Sequence, residues 1–245
     1  MIRNLFAAAL LAALCAGLVT AALQHFRVTP LILQAESFEG EGGHSHGTEA
    51  VALVHAEGTA DHSHAADEWA PQDGFERTAY TVLATVFAAA GFAFVIGAVS
   101  MFANLPITSG NGVLWGVAGF LAFSLAPAYG LAPELPGMAA ADLGARQLWW
   151  VGTALATGGA MLLLAKRRAG WAFAVALALV AAPHIIGAPA APDEASAVPA
   201  HLASAFAATT LGTSLVFWLI LGTVFGRLND HFARRSAALP AGVPA

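Results

Sequence analysis

Six stretches of this chain, residues 5–23, 80–102, 112–131, 148–165, 170–188 and 202–225, contain no Asp, Glu, Lys or Arg. A helix needs about 20 mostly apolar residues to cross the hydrocarbon core, where no water can satisfy an open backbone. Six such stretches predict an all-α fold, a polytopic integral membrane helical bundle of about six transmembrane helices. The composition agrees: 58% of residues are apolar and 10% charged, against about a quarter charged in soluble domains. An ordinary soluble enzyme, a disordered chain and a disulfide scaffold are excluded. The lone Cys15 excludes an intrachain disulfide and a thiolate metal cage. A net charge of -5 speaks against nucleic acid as a partner.

The spans divide the chain into a first transmembrane helix (1–23), an external loop rich in histidine and acid (24–79), a five-helix bundle (80–226) and a cytoplasmic tail (227–245). Residues 5–23 outrun a signal-peptide core, and no small-x-small site precedes Gln24, so a retained helix is expected. With six crossings both termini share a side. That side carries Arg3, Lys166, Arg167, Arg168, Arg227, Arg234 and Arg235, seven of the ten basic residues. The positive-inside bias makes it cytoplasmic and places the chain in an inner (plasma) membrane. Fourteen of the fifteen acidic residues fall opposite, Asp230 being the exception. Gly112-x-x-x-Gly116 and Gly158-Gly159 are expected to let helices approach closely.

The 24–79 loop is long for a connection without structure. Its centre reads GEGGHSHG (40–47), then His55, then DHSH (61–64). His44, His46, His55, His62 and His64 fall within 21 residues, while the other 224 share four histidines. Imidazole with carboxylate and no thiolate suits divalent zinc, cobalt, nickel or copper. Two His-x-His pairs on glycine-flanked backbone can wrap one ion, at a cost in ordering entropy that keeps affinity modest. The bland alternative is a solvated low-complexity loop.

The spans hold few polar groups. His184 is the one histidine among them, one turn below the outer surface on the 170–188 helix. Pro183 has no N–H, so the Leu179 carbonyl loses its helical partner and stands beside the imidazole as a two-donor cation station. His25, Glu36 and Glu39 after the first span, Glu134 and Asp142 between the third and fourth, and His201 before the sixth gather on the same outer face. Each of these alone reads more readily as a solvated loop residue, and His184 reads equally as a histidine solvated at the interface. Thr153/Thr157, Thr209/Thr213 and Thr210/Ser214 are i, i+4 pairs, which more often bond their own backbone than line a seam. No phosphate loop, nucleophile elbow or His-Glu-x-x-His helix is present, so no enzyme signature is read.

Taken in order, the segments VTPLILQAE (28–36), GFER (74–77), LWGVAGF (114–120), LAPAYGLAPELPG (125–137), RQLWW (146–150) and PHIIGAP (183–189) resemble the CbtA family, membrane subunits of a cobalt transporter linked to vitamin B12 synthesis. The resemblance covers nearly the whole chain. It implies cobalt uptake, with nickel or zinc as other candidate ions, and a small one-helix CbtB-like partner in the bilayer. A homo-oligomer is also compatible. Glu36, Glu39, Glu134, Asp142 and His184 lie in or beside the resembling segments. Two departures stand out: such families are described with five spans, and Phe38 stands where Tyr is expected. The sequence therefore supports a cobalt uptake subunit whose loop captures the ion for passage through the bundle. The alternative is a non-transporting metal-binding, sensing or scaffold subunit for nickel, zinc or copper.

Overall fold

The computed structural model describes residues 2–39, 74–193 and 196–238, which form helices and no strand. The helices are α1 (Ile2–Phe38), α2 (Phe75–Phe102), α3 (Gly112–Gly130), α4 (Leu143–Lys166), α5 (Gly170–Ile186) and α6 (Ala200–Ala237). Five are long and apolar enough to cross a membrane, not six. The exception is α5, whose 17 residues span only about 25 Å. It nevertheless runs from one end of the bundle to the other. Trp171 lines a recess with Ala103 and Lys166 at one end, and His184 meets Tyr129 and Trp149 at the other.

Both chain ends share the first of these ends. Asn4 donates from Nδ2 to Ser236 Oγ at 2.7 Å, the Ser109 N–H donates to Asp230 at 2.8 Å, and Asn229 donates to the Ile107 carbonyl at 2.8 Å. Termini on one side require an even number of passes. Reporter fusions after residues 168 and 191 are therefore expected to report opposite sides of the membrane. The same side for both would show that α5 does not cross.

The first helix does not stop at residue 23, and the connection does not begin at 24. Helix continues through a π turn at Gln24–Val28 into Thr29–Glu39, and α2 starts at Phe75. The polar run Gln24-His-Phe-Arg27 mimics a helix end, but Val28, Ile32 and Ala35 behind it are buried and carry the helical stripe onward. Pro30 follows the π turn by two residues. The wider turn, with the Thr29 N–H bonded to the Gln24 carbonyl, gives the proline ring room against the preceding carbonyls. The same arrangement recurs in α3, where the π turn Leu121–Leu125 precedes Pro127.

The core is a three-helix seam of α1, α3 and α6, with α2 packed on α1 and α5 on α4. Ala8, Ala9, Ala12, Ala13 and Ala16 are fully or almost fully buried, so the α1 backbone lies against its neighbours. Gly112 and Gly116 face Gly222 and the Trp218 carbonyl so closely that a Cβ on either glycine would fall onto backbone. Gly158-Gly159 makes no such crossing: a Cβ on Gly158 would lie 3.8 Å from Ala122, and one on Gly159 would meet nothing within 4 Å. Trp218 stacks on Phe123 at 5.5 Å with a 12° tilt, and its Nε1 donates to Ser124 Oγ at 3.2 Å.

Candidate metal-handling site

At the end away from the termini, three helix ends meet. Pro127 sits in the first turn of the closing segment of α3, Ala126–Gly130, which sets Tyr129 and Gly130 against α4 and α5. A Cβ on Gly130 would strike the Trp149 ring and crowd Ala188, so glycine is required there. Asp142 caps α4, its Oδ1 accepting from the Ala145 N–H at 2.8 Å. Gly187, at φ 90°, ends α5.

His184 lies in the corner these ends make. Its ring stands edge-on to Tyr129 at 5.2 Å and to Trp149 at 5.7 Å. Its Nδ1 is buried and has no hydrogen-bond partner among the described residues. The Trp149 indole donates to the Pro183 carbonyl at 3.2 Å, so this corner is organised through the carbonyl of Pro183 itself, whereas the sequence pointed to that of Leu179. Adjoining the corner, and sharing Gly130 and Ala188 with it, is an open recess of about 520 Å³ whose wall includes Glu134 and Met138.

Two acid–arginine pairs brace this end. Glu134 lies 2.9 Å from the Arg146 guanidinium and Glu36 lies 3.5 Å from that of Arg77. Burial raises the Glu134 carboxyl above its ordinary 4.5, and Arg146 pulls it partly back. The folded chain therefore holds this proton more tightly than the unfolded chain. The group favours the folded state below pH 4.5, and that contribution declines as pH rises through the raised value. Cation binding has the opposite sign, because only the carboxylate ligates. Divalent-cation binding at this carboxylate is expected to weaken on acidification, earlier than at an ordinary glutamate. Glu134→Gln should lower binding at neutral pH and remove the carboxylate's share of the acid limb. An unaltered acid limb in that variant would remove Glu134 from the route.

Of the residues the sequence singled out, Glu134 lines the recess, and His184 stands in the adjoining corner outside its lining. Glu36 stands one residue beyond Ala35, which is buried with Leu135, Val198, Leu202 and Phe206, with Phe38 packed against that cluster. Asp142 is committed to its cap. His201 is exposed in the first turn of α6, near Ser204 of the recess wall. His25 is exposed beside Phe26, away from the recess lining, and Glu39 is the last helical residue of its segment. His44, His46, His55, His62 and His64 lie outside the described residues. Among the described residues no group of three His, Cys, Asp or Glu side chains converges.

Among the described residues, the buried polar side chains of the bundle are threonine and serine hydroxyls. Thr153 bonds back to the Trp149 carbonyl at 2.8 Å, the ordinary behaviour of a threonine in a membrane helix. Ser214 pairs with Ser124 across the α3–α6 seam at 2.7 Å. Thr20, Thr157 and Thr210 keep buried hydroxyl oxygens without partners.

Sequence reasoning missed Tyr129, Trp149, Arg77 and Arg146 as site partners. The signal for the arginines was present: they are two of the three basic residues outside the group of seven near the helix ends at the other side, and each sits at the start of an apolar helix. A model of the family described as "Probable cobalt transporter subunit (CbtA)" matches residues 2–230. The chain belongs to the CbtA family. No curated protein and no solved structure matches it. For this CbtA chain, the family's description supports a subunit of a cobalt transporter, and the word subunit implies a partner.

Proposed function

We propose that this chain is the membrane subunit through which divalent cobalt enters the cell for vitamin B12 synthesis. Its recess end faces outward from the inner membrane, and both termini are cytoplasmic. The 40–73 segment, through His44, His46, His55, His62 and His64, gathers the ion. The acidic rim of Glu36, Glu39, Asp142 and the exposed His25 and His201 concentrates it, and Glu134 with His184 receives it as water is shed. The observation that carries this reading is the buried, unpartnered Nδ1 of His184 beside a recess walled by Glu134. A buried imidazole nitrogen without a partner is costly unless something ligates it.

The inside-negative potential supplies about 2.3 kcal/mol per charge per 100 mV, so roughly 4.6 kcal/mol for a divalent ion. Uptake thus needs no nucleotide. Beyond His184 the polar groups buried in the described helices are hydroxyls, and the thiol of Cys15 is exposed, so a one-helix CbtB-like subunit completes the path. Liposomes holding this chain alone, or chain plus partner, and loaded with a cobalt-quenched dye, test the reading. Uptake only with both present is expected. Metal binding without uptake in either preparation would overturn transport in favour of a scaffold or sensing subunit.

A further inference from the structure

At the end that holds the termini, α2, α4 and α5 leave a recess of about 450 Å³ between them. It is lined by Ala103, Gly159, Leu162, Leu163, Lys166 and Trp171, with Arg167 at its mouth. Three observations make it more than a packing gap. Gly159 forms an open wall, since a Cβ there would meet nothing within 4 Å. Among helices, α5 packs chiefly on α4, so none of the described helices fills the wedge between α5 and α2. Lys166 and Arg167 are exposed and form no ion pair among the described residues, in contrast to Arg77 and Arg146, which each hold a glutamate.

We propose that this recess binds one anionic phospholipid. Its phosphate is held by Lys166 and Arg167, and an acyl chain lies along Gly159, Leu162 and Leu163 between α4 and the end of α2. The charge at the mouth selects the occupant. A basic cluster at headgroup depth attracts anionic lipid at a fraction of the affinity per charge that adds up over neighbouring residues. Trp171, 58% exposed, stands where an indole belongs, at the boundary between headgroup and hydrocarbon. A partner's transmembrane helix fits less well, because the recess is confined to one end of the bundle and opens onto unpaired cations. The bound lipid would tie α5, the shortest helix, to the rest of the bundle.

Native mass spectrometry of the full chain, released from bilayers of phosphatidylcholine mixed with phosphatidylglycerol, tests this. Wild type should retain one phosphatidylglycerol in preference to phosphatidylcholine. Joint neutralisation, Lys166→Gln with Arg167→Gln, should weaken retention roughly 30-fold, from the usual contribution of two basic residues at a membrane surface. Because those charges also bear on insertion, Gly159→Leu provides a second arm: it keeps both charges, fills the groove and should also lose the lipid. Gly152→Leu, on an open face of the same helix, should keep it. Equal retention of the two lipids, lipid retained by Gly159→Leu, or a polypeptide occupying the recess would each overturn the proposal.

Discussion

Replacing Gly222 with alanine is expected to lower the thermal midpoint of the detergent-purified chain by roughly 6–12 °C, from a loss of about 3 kcal/mol. Propensity alone argues the other way, since alanine is the better helix former by about 1 kcal/mol. Packing decides the sign. A Cβ at Gly222 would fall onto the Gly112 carbonyl and the Gly116 backbone, and backbone cannot step aside as a flexible side chain can. The α3 and α6 helices would have to separate, loosening the Ser124–Ser214 hydrogen bond and the stacking of Trp218 on Phe123. In lipid, where association rests on close packing rather than on water exclusion, little remains to compensate. Gly152→Ala is the control, because a Cβ there meets nothing within 4 Å; its midpoint should hold or rise. Equal midpoints for wild type and Gly222→Ala would show that the crossing does not bear the stability assigned to it.

That crossing was half legible in the sequence. Gly112-x-x-x-Gly116 announces a close approach, but a local pattern cannot say that the partner is Gly222. The same limit explains the site. Hydropathy gave the apolar helices, because lipid exposure leaves its mark residue by residue. It misplaced the end of α1, because Gln24-His-Phe-Arg27 is polar enough to imitate an interface while the buried stripe continues through Val28 and Ile32. It read 170–188 as a full span, although Gly187 at φ 90° stops the helix at Ile186.

The segments that carry the family resemblance look unrelated along the chain, yet the structure pairs them. Glu36 meets Arg77, Glu134 meets Arg146, and Tyr129 with Trp149 encloses His184. Each pair joins two different helices or connections, which no periodicity encodes. The sequence therefore named the acids and the histidine but not the groups that hold them.

Capture and passage can be separated by their response to cobalt concentration. If the 44–64 segment raises the local concentration of the ion, deleting it should impair uptake at scarce cobalt and be rescued by excess, because mass action substitutes for an antenna. His184 cannot be bypassed in that way. Its Nδ1 is buried, and its ring is held between Tyr129 and Trp149, so a higher external concentration does not replace the ligand. His184→Ala is expected to lower maximal uptake about tenfold or more at saturating cobalt, since losing even a group that orients a metal ligand costs roughly 10- to 100-fold. Membrane abundance should stay near wild type, because the Pro183 carbonyl keeps its bonds to the Trp149 indole and the Gly187 N–H. His184→Gln, which keeps a polar tip without the imidazole, separates loss of a ligand from loss of packing: it should keep abundance but not restore the rate. A wild-type maximal rate in His184→Ala would mean that cobalt does not pass this corner, and the route would then have to run through the partner subunit.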